Sequence, residues 1–413
     1  VSEQTLNSWP NHFTKEETAP CSADAVTDLQ DLNPRCNRFS HLQIPAQQGR
    51  CSNTGEVECF PPFRGDFCGE RSYPRTQKWR QSRFGNRCMA RHDVKSRPRW
   101  DALRASIVYI TNQKDLWLLM RSLKTLWTYY NCRFDYAVLI FHDGLTASAR
   151  AEIKSTGHRI WFIELTDEEF VDSASSTRPH QSFDGVGRSR EPSPGSFLHS
   201  ALHHFRFGYK AMCRWMAGPI FLHPALQHFR YAFHLDADSY ILHPVTIDPF
   251  KYMQYHDLHF SYIYVSDFPP SSNQYLWDLA KVFLMSHQQH LQQNLIPSFA
   301  PAEDAFGNKN LWTGLVMMSD AEVFDLDFFR GHQYQYFFRW MDSTNGFSQY
   351  GWGDHVFRTV AVVCLTTQAK VMPSGSVPYA HQSHCFCPDG TRCSLMGHFL
   401  WECKPLTEHE RQK

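Results

Sequence analysis

Three short apolar runs separated by two helical patterns lie between residues 105 and 165, and they constrain the fold more than any other feature of the chain. Ala105–Thr111 is a β-branched run that ends in a polar turn. From Asp115 to Tyr130, Leu116, Leu119, Leu123 and Leu126 recur at helical spacing. Tyr136–Phe141 is the second apolar run and stops at His142-Asp143-Gly144. A helical stretch over 146–156 leads to the third run, Ile160–Leu165. Strands that are apolar throughout are buried on both faces, and this alternation predicts a parallel sheet in an α/β fold. Ligands of such sheets sit beyond the carboxyl ends of the strands, so the polar residues at those ends hold the chemistry.

One such end stands out. Tyr231-Ala232-Phe233-His234-Leu235 is an apolar strand that runs straight into Asp236-Ala237-Asp238. Two carboxylates one residue apart at a strand end are suited to a divalent cation that in turn grips a diphosphate. Two hard oxygen ligands leave an octahedral shell open, and phosphates and water complete it. Such a cation offsets charge growing on a leaving nucleoside diphosphate. The plainer reading is a turn with solvated acids.

Two further clusters follow. Gly351-Trp352-Gly353-Asp354-His355 comes after a flexible stretch, 342–346, and starts a helix. Asp354 falls in the first turn, where the helix dipole alone also favours an acid. Tyr379-Ala380-His381 precedes His384, Cys385 and Cys387. A neutral imidazole at His381 completes a metal shell; a structural histidine or a zinc site with the nearby cysteines are the competing readings.

The chain has 413 residues, enough for one large domain and a smaller one, and 42% are hydrophobic, so a packed core is available. Its 41 basic and 41 acidic residues cancel, which argues against nucleic acid as a partner. Aromatic residues make up 15%, a share that suits sugar-binding clefts but also simply fills cores. Residues 1–20 form a polar lead-in. Residues 21–70 hold five of the 13 cysteines, at 21, 36, 51, 59 and 68, with almost no hydrophobic period; four more lie at 385, 387, 393 and 403. Clusters of this kind predict disulfides and an oxidising compartment, and neither has a paired C-x-x-C spacing for zinc. Cys59 to Cys68 resembles the last disulfide loop of an EGF-like module. Residues 71–99 form a basic linker, with ten Lys or Arg against the single acid Asp93. The α/β pattern occupies 100–413, interrupted by a Ser/Pro/Gly/Arg-rich loop over 172–196 and resumed by a helix over about 198–217.

No apolar run reaches 18 residues, so no membrane-spanning helix is expected, and the opening is too polar for a signal peptide; for a secretory protein the targeting segment is then expected to have been removed or to lie outside this chain. Membrane association is then expected only through a segment outside this chain.

Tyr209-Lys210-Ala211-Met212-Cys213-Arg214, His223-Pro224-Ala225-Leu226, the Asp236/Asp238 strand and Ile247-Asp248-Pro249-Phe250 together resemble glycosyltransferase family 15, the fungal-type Golgi α-1,2-mannosyltransferases. So do Asp325–Arg330, Phe347 with Trp352-Gly353-Asp354, and Tyr379-x-His381 with Cys387-Pro388. The blocks keep the family's order across about residues 100–390. The resemblance implies a GT-A, Rossmann-like nucleotide-sugar fold, GDP-mannose as donor, Mn²⁺, and transfer with retention to a glycan or glycoprotein hydroxyl, in α-1,2 linkage, in the Golgi lumen or outside the cell. It places Asp236 and His381 on the metal, with Asp238 either on the metal or on the donor's ribose. Glu322 takes the position of the family's catalytic glutamate, Asp354 lies near the acceptor, and Tyr209 and Arg214 line the donor site. Asp-Ala-Asp stands where the family has Glu-Pro-Asp, and an EGF-like module is not a fungal feature of the family. Retention requires either a carboxylate nucleophile or same-face attack, and Glu322 serves as the nucleophile or as an ion-pair stabiliser. Competing readings are a transferase using another nucleotide sugar, a catalytically silent extracellular scaffold, and a lectin-like module.

Overall fold

The computed structural model describes short strands within 49–71 by their backbone, and then residues 103–166, 169–170, 208–268, 275–287, 299–300, 312–374, 377–387, 391–395 and 401–407. The chain divides into two compact units, Val1–Arg75 and Thr76–Lys413. In the first, β1 (Gly49–Cys51) pairs antiparallel with β2 (Val57–Cys59), and β3 (Phe63–Arg64) with β4 (Glu70–Arg71). The cysteine pairing expected over 21–70, the basic segment 72–99, the 172–196 loop and the start of the helix expected at 198 lie outside the described residues.

The second unit is built on β5 (Ala105–Asn112), β6 (Ala137–Asp143), β7 (Ile160–Glu164), β8 (Tyr231–Leu235), β10 (Phe260–Tyr262), β13 (Ala321–Asp325) and β14 (Val371–Pro373). They form one seven-stranded sheet in the order β14-β10-β13-β8-β5-β6-β7. β8, β5, β6 and β7 are mutually parallel, as the strand–helix alternation predicts. The sheet as a whole is mixed, because β13 lies antiparallel between β8 and β10. That inversion places the β13 start, Asp320 to Glu322, beside the β8 end, Leu235 and Asp236, so both contribute to the same edge of the sheet.

Every residue of β5 is buried, and so are six of the seven in β6. Because Cβ atoms alternate across a strand, Ile107, Tyr109, Val138, Ile140 and Phe233 share one core with Leu119, Leu123 and Leu126 of the helix Leu116–Leu126. The other face carries Phe141, which meets Trp215 at 5.2 Å, and Phe324, which meets Phe221 at 5.2 Å. His234 and Glu322 share the alternation of that second face, so they point toward the helices Tyr209–Ala217 and Asp354–Leu365. The helix expected to reach Tyr130 is regular only to Leu126 and continues as a wider turn, Trp127–Asn131. That turn lets the Tyr130 hydroxyl donate to buried Asp248 at 2.9 Å.

A second small sheet covers the carboxyl end of β8. In it β15 (Tyr379–His381) lies between β9 (Ser239–Ile241) and β16 (His384–Phe386). Beyond it, β17 (Thr391–Leu395) and β18 (Trp401–Pro405) form a hairpin. Disulfides Cys385–Cys393 and Cys387–Cys403 fasten this hairpin to the β16 region, so these four cysteines are disulfide partners and not zinc ligands. Cys213 and Cys364 are free and buried. Among the described residues no helix is long and apolar enough to cross a membrane.

Candidate active site

β8 stops because the chain turns sharply after Leu235. The Ser239 amide donates to the Asp236 carbonyl at 3.0 Å, which closes the turn holding Asp236-Ala237-Asp238 and starts β9. The Asp320 carbonyl pins this turn from the β13 side, accepting from the Asp236 amide at 3.0 Å and from the Ser239 hydroxyl at 2.7 Å. Pairing of β15 with β9 then sets His381 opposite Ser239. The three residues assigned to metal in the sequence therefore converge. One ligand atom from each of Asp236, Asp238 and His381 lies within 4.8 Å of the others.

His381 shows what this cluster can hold. Its Nδ1 faces Asp320 Oδ2 at 3.1 Å, and its Nε2 faces Asp238 Oδ1 at 3.1 Å and Asp236 Oδ2 at 3.8 Å. Yet Nε2 is buried without a hydrogen-bond partner. An imidazole steered by a carboxylate behind it, with an unsatisfied nitrogen between two more carboxylates, has the form of a metal-ligating histidine. Two carboxylates and one imidazole suit a hard to borderline divalent ion such as Mn²⁺ and leave positions for phosphate oxygens. Burial alone would lower the His381 pKa, but Asp238 and Asp320 outweigh it and hold it well above the usual imidazole range. Asp236, pushed by burial first and by Asp238 and Asp320 next, rises to about 7 despite the opposing histidines. The His381 shift comes from the acids around it and the Asp236 shift chiefly from burial, and a divalent cation would favour the ionised Asp236 and the neutral imidazole.

Behind the cluster runs a second line of charge. His234 Nε2 is 3.5 Å from Asp236 Oδ1, and His234 Nδ1 is 3.4 Å from Glu322 Oε1. Glu322 pairs with the Arg358 guanidinium, which also reaches Asp354 Oδ2 at 3.4 Å and donates to the Met216 carbonyl at 2.7 Å. The Glu322 side chain is 0% exposed, and its Oε2 has no hydrogen-bond partner. Burial pushes its pKa up and Arg358 opposes the rise. Asp354 is held well below the usual carboxylate range, because His355 and Arg358 outweigh its burial.

Tyr209 starts its helix beside these acids. Its hydroxyl pKa is raised by the neighbouring Cys213 thiol first, then by burial, with Asp354 and Asp236 adding to the effect. The adjacent Lys210 amine donates to the Gly351 carbonyl, which ties this helix to the Trp352-Gly353-Asp354 segment. The Arg214 guanidinium is bidentate on Asp342, at 2.7 and 2.5 Å. Asp236, Asp238, His381, Glu322, Asp354 and Tyr209 thus share one region.

Four residues of this region escape a motif-based reading. Asp320 orients His381, His234 links Asp236 to Glu322, Arg358 joins Glu322 to Asp354, and the Gln382 amide donates to Asp238 Oδ2 at 3.3 Å. Two of them carried a period-two signal. His234 stands two residues before Asp236 and Asp320 two before Glu322, so each shares a strand face with its partner. Arg358 is one helical turn after Asp354.

Comparison with known proteins bears on this geometry. A family model described as glycolipid 2-alpha-mannosyltransferase matches residues 75–404. A glycolipid 2-alpha-mannosyltransferase of Candida albicans is 21% identical over 309 residues, which cover 74% of this chain and 62% of that protein. The chain thus spans less than two thirds of that relative. A probable mannosyltransferase of Saccharomyces cerevisiae is 22% identical over 315 residues, 72% of this chain and 71% of the relative. Among solved structures, core-mannan synthase A of Aspergillus fumigatus in its Mn/GDP form superposes with a TM-score of 0.58 at 20% identity, covering 86% of this chain and 93% of that one. The S. cerevisiae mannosyltransferase Ktr4p in complex with GDP gives 0.59 at 18% identity, over 73% and 78%. The fold is common to this chain and the two solved structures.

Proposed function

The chain belongs to the glycolipid 2-alpha-mannosyltransferase family, and from that premise we propose that it is a retaining, Mn²⁺-dependent glycosyltransferase that moves mannose from GDP-mannose to a glycan or glycoprotein hydroxyl, in α-1,2 linkage. The observation that carries the proposal is the convergence of buried Asp236, Asp238 and His381 at the carboxyl end of β8, with one ligand atom of each within 4.8 Å of the others. A lectin or an inert scaffold has no use for three crowded metal-ligating groups, and keeping them unfilled costs stability.

Asp236, Asp238 and His381 would hold the ion. When bound, it supplies positive charge against the donor's diphosphate as that group departs. The remaining chemistry falls to the chain itself. Asp320 keeps the His381 ring turned with Nε2 toward the acids. Tyr209, beside Asp354 and Asp236, offers a hydroxyl on the donor side. Arg214, held through Asp342, stands on the same helix as Tyr209 and is read with it on the donor side. Asp354, low in pKa and so ionised, is fitted to orient the acceptor hydroxyl.

The setting of Glu322 bears on the two routes to retention. A nucleophile must come within about 3–3.5 Å of the anomeric carbon. Glu322 is instead sealed from solvent and paired with Arg358. That geometry favours same-face attack, with Glu322 stabilising positive charge on the sugar from behind His234 and Asp236 and not bonding to it.

The C-terminal disulfides favour an oxidising, luminal or extracellular setting. Two successive antiparallel strand pairs support an EGF-like reading of the cysteine-rich segment before residue 71. The direct test is to incubate the protein with Mn²⁺ and a panel of nucleotide sugars and measure nucleoside diphosphate release, with and without simple mannosides. Release from GDP-mannose alone is expected. Release from another donor would overturn the substrate, and release from none would overturn the enzyme.

A further inference from the structure

The C-terminal hairpin touches the metal-binding cluster through one short line of hydrogen bonds. Gln382 follows His381 directly and takes a left-handed backbone, φ 48°. A residue with a Cβ pays a strain of roughly 1 kcal/mol or more in that region, and the conformation persists only where its surroundings enforce it. The two-residue turn Gln382-Ser383 between β15 and β16 imposes it, and two contacts hold the residue there. The Gln382 side-chain amide donates to Asp238 Oδ2 at 3.3 Å, and the Gln382 carbonyl accepts the Trp401 indole N–H at 2.8 Å. Trp401 opens β18 opposite Leu395 of β17. Both strands are fastened back toward β16, by Cys385–Cys393 to β17 and by Cys387–Cys403 to β18.

We propose that Gln382 and Trp401 are positioning residues for Asp238, and that the disulfide-fastened hairpin exists in part to hold them. This rests on the reading of Asp236, Asp238 and His381 as the cation site. Asp238 has two oxygens. With Oδ2 held by the Gln382 amide, Oδ1 is the one left facing His381 Nε2 and the space between the three groups. Without that amide Oδ2 loses its side-chain donor, and the carboxylate is held chiefly through Oδ1 at His381. Without the Trp401 donor nothing among the described contacts holds the Gln382 carbonyl, and the turn carrying the amide is less firmly placed. Partners of this kind, standing behind a metal ligand, typically contribute about 10–100-fold to metal affinity.

The test is titration of Mn²⁺ alone into the disulfide-intact protein, read by the loss of the free-ion paramagnetic resonance signal, for wild type, Gln382→Ala, Trp401→Phe and the double variant. Trp401→Phe keeps an aromatic ring and removes the donor together with the second ring of the indole. Affinity should weaken about 10-fold or more in each single variant. The double variant should be no weaker than Gln382→Ala, because Trp401 acts through Gln382. Glu402→Gln, on the same strand but paired with exposed Lys404, should bind like wild type. Urea midpoints within error of wild type would separate a positioning effect from loss of fold. Single variants that bind Mn²⁺ within about twofold of wild type, or that add fully in the double variant, would overturn the proposal. A wild-type protein that binds no Mn²⁺ would instead overturn the cation-site reading beneath it.

Discussion

Arg358 and Glu322 form an ion pair between the helix Asp354–Leu365 and β13, with side chains 1% and 0% exposed. Each charge would be costly alone at that depth, and each is tolerated because of the other. Arg358 also faces Asp354, so a single guanidinium sets the positions of both acids read as catalytic.

Replacing Arg358 with Met therefore leaves Glu322 buried without its main counter-charge. A loss of about 3–5 kcal/mol in unfolding free energy is expected, as for other broken buried pairs. The double variant Arg358→Met with Glu322→Leu should recover most of that loss. Urea denaturation of the four proteins measures the coupling, and additive losses would show that the pair is energetically independent.

Glu322→Gln keeps the shape of the side chain and removes its charge. If Glu322 stabilises charge on the sugar, kcat should fall by about 10²–10³, while Mn²⁺-dependent GDP binding stays close to wild type. Retained turnover would remove Glu322 from the mechanism.

Gly346 lies under Trp352, and a Cβ there would overlap the indole ring. Gly346→Ala should force Trp352 out of its buried seat and cost about 1–3 kcal/mol. Because Trp352 precedes Gly353 and Asp354, activity should fall together with the denaturation midpoint.

His158 gives a pH dependence that is independent of the active site. Its Nδ1 accepts from Asn131 at 3.0 Å and its Nε2 donates to the Leu123 carbonyl at 2.9 Å, so the folded protein holds the neutral ring. Burial lowers its pKa to about 4. The unfolded chain takes up this proton near pH 6.5 and the folded one does not. Stability should thus fall as pH drops from about 6.5 to about 4, by up to roughly 3 kcal/mol from this group. His158→Gln should flatten that part of the curve, and an unchanged slope would place its origin elsewhere.

The parallel half of the sheet was legible because β5 and β6 are apolar without interruption, a pattern that only two-sided burial explains. The antiparallel β13 was not legible, since Ala321–Asp325 reads as an ordinary short run and strand direction depends on distant pairing. Asp236, Asp238 and His381 were legible as a set only through their motifs. What brings them together is the β9–β15 pairing, which no local pattern encodes. Arg358 escaped notice because an arginine in an amphipathic helix normally faces water, and its burial follows only once β13 supplies Glu322. Arg214 was read toward the donor, and its bidentate pairing with Asp342 could not be seen in the sequence because the two residues lie far apart along the chain.

The central claim is that Asp236, Asp238 and His381 bind the cation through which GDP is held. Thermal unfolding with GDP, in the presence and absence of Mn²⁺, for wild type and His381→Ala, tests it most directly. At a ligand concentration of 100 times Kd the wild type should gain about 2.7 kcal/mol from GDP. It should do so only with Mn²⁺, and His381→Ala should lose most of that gain. Stabilisation by GDP without metal, or undiminished in His381→Ala, would contradict the account.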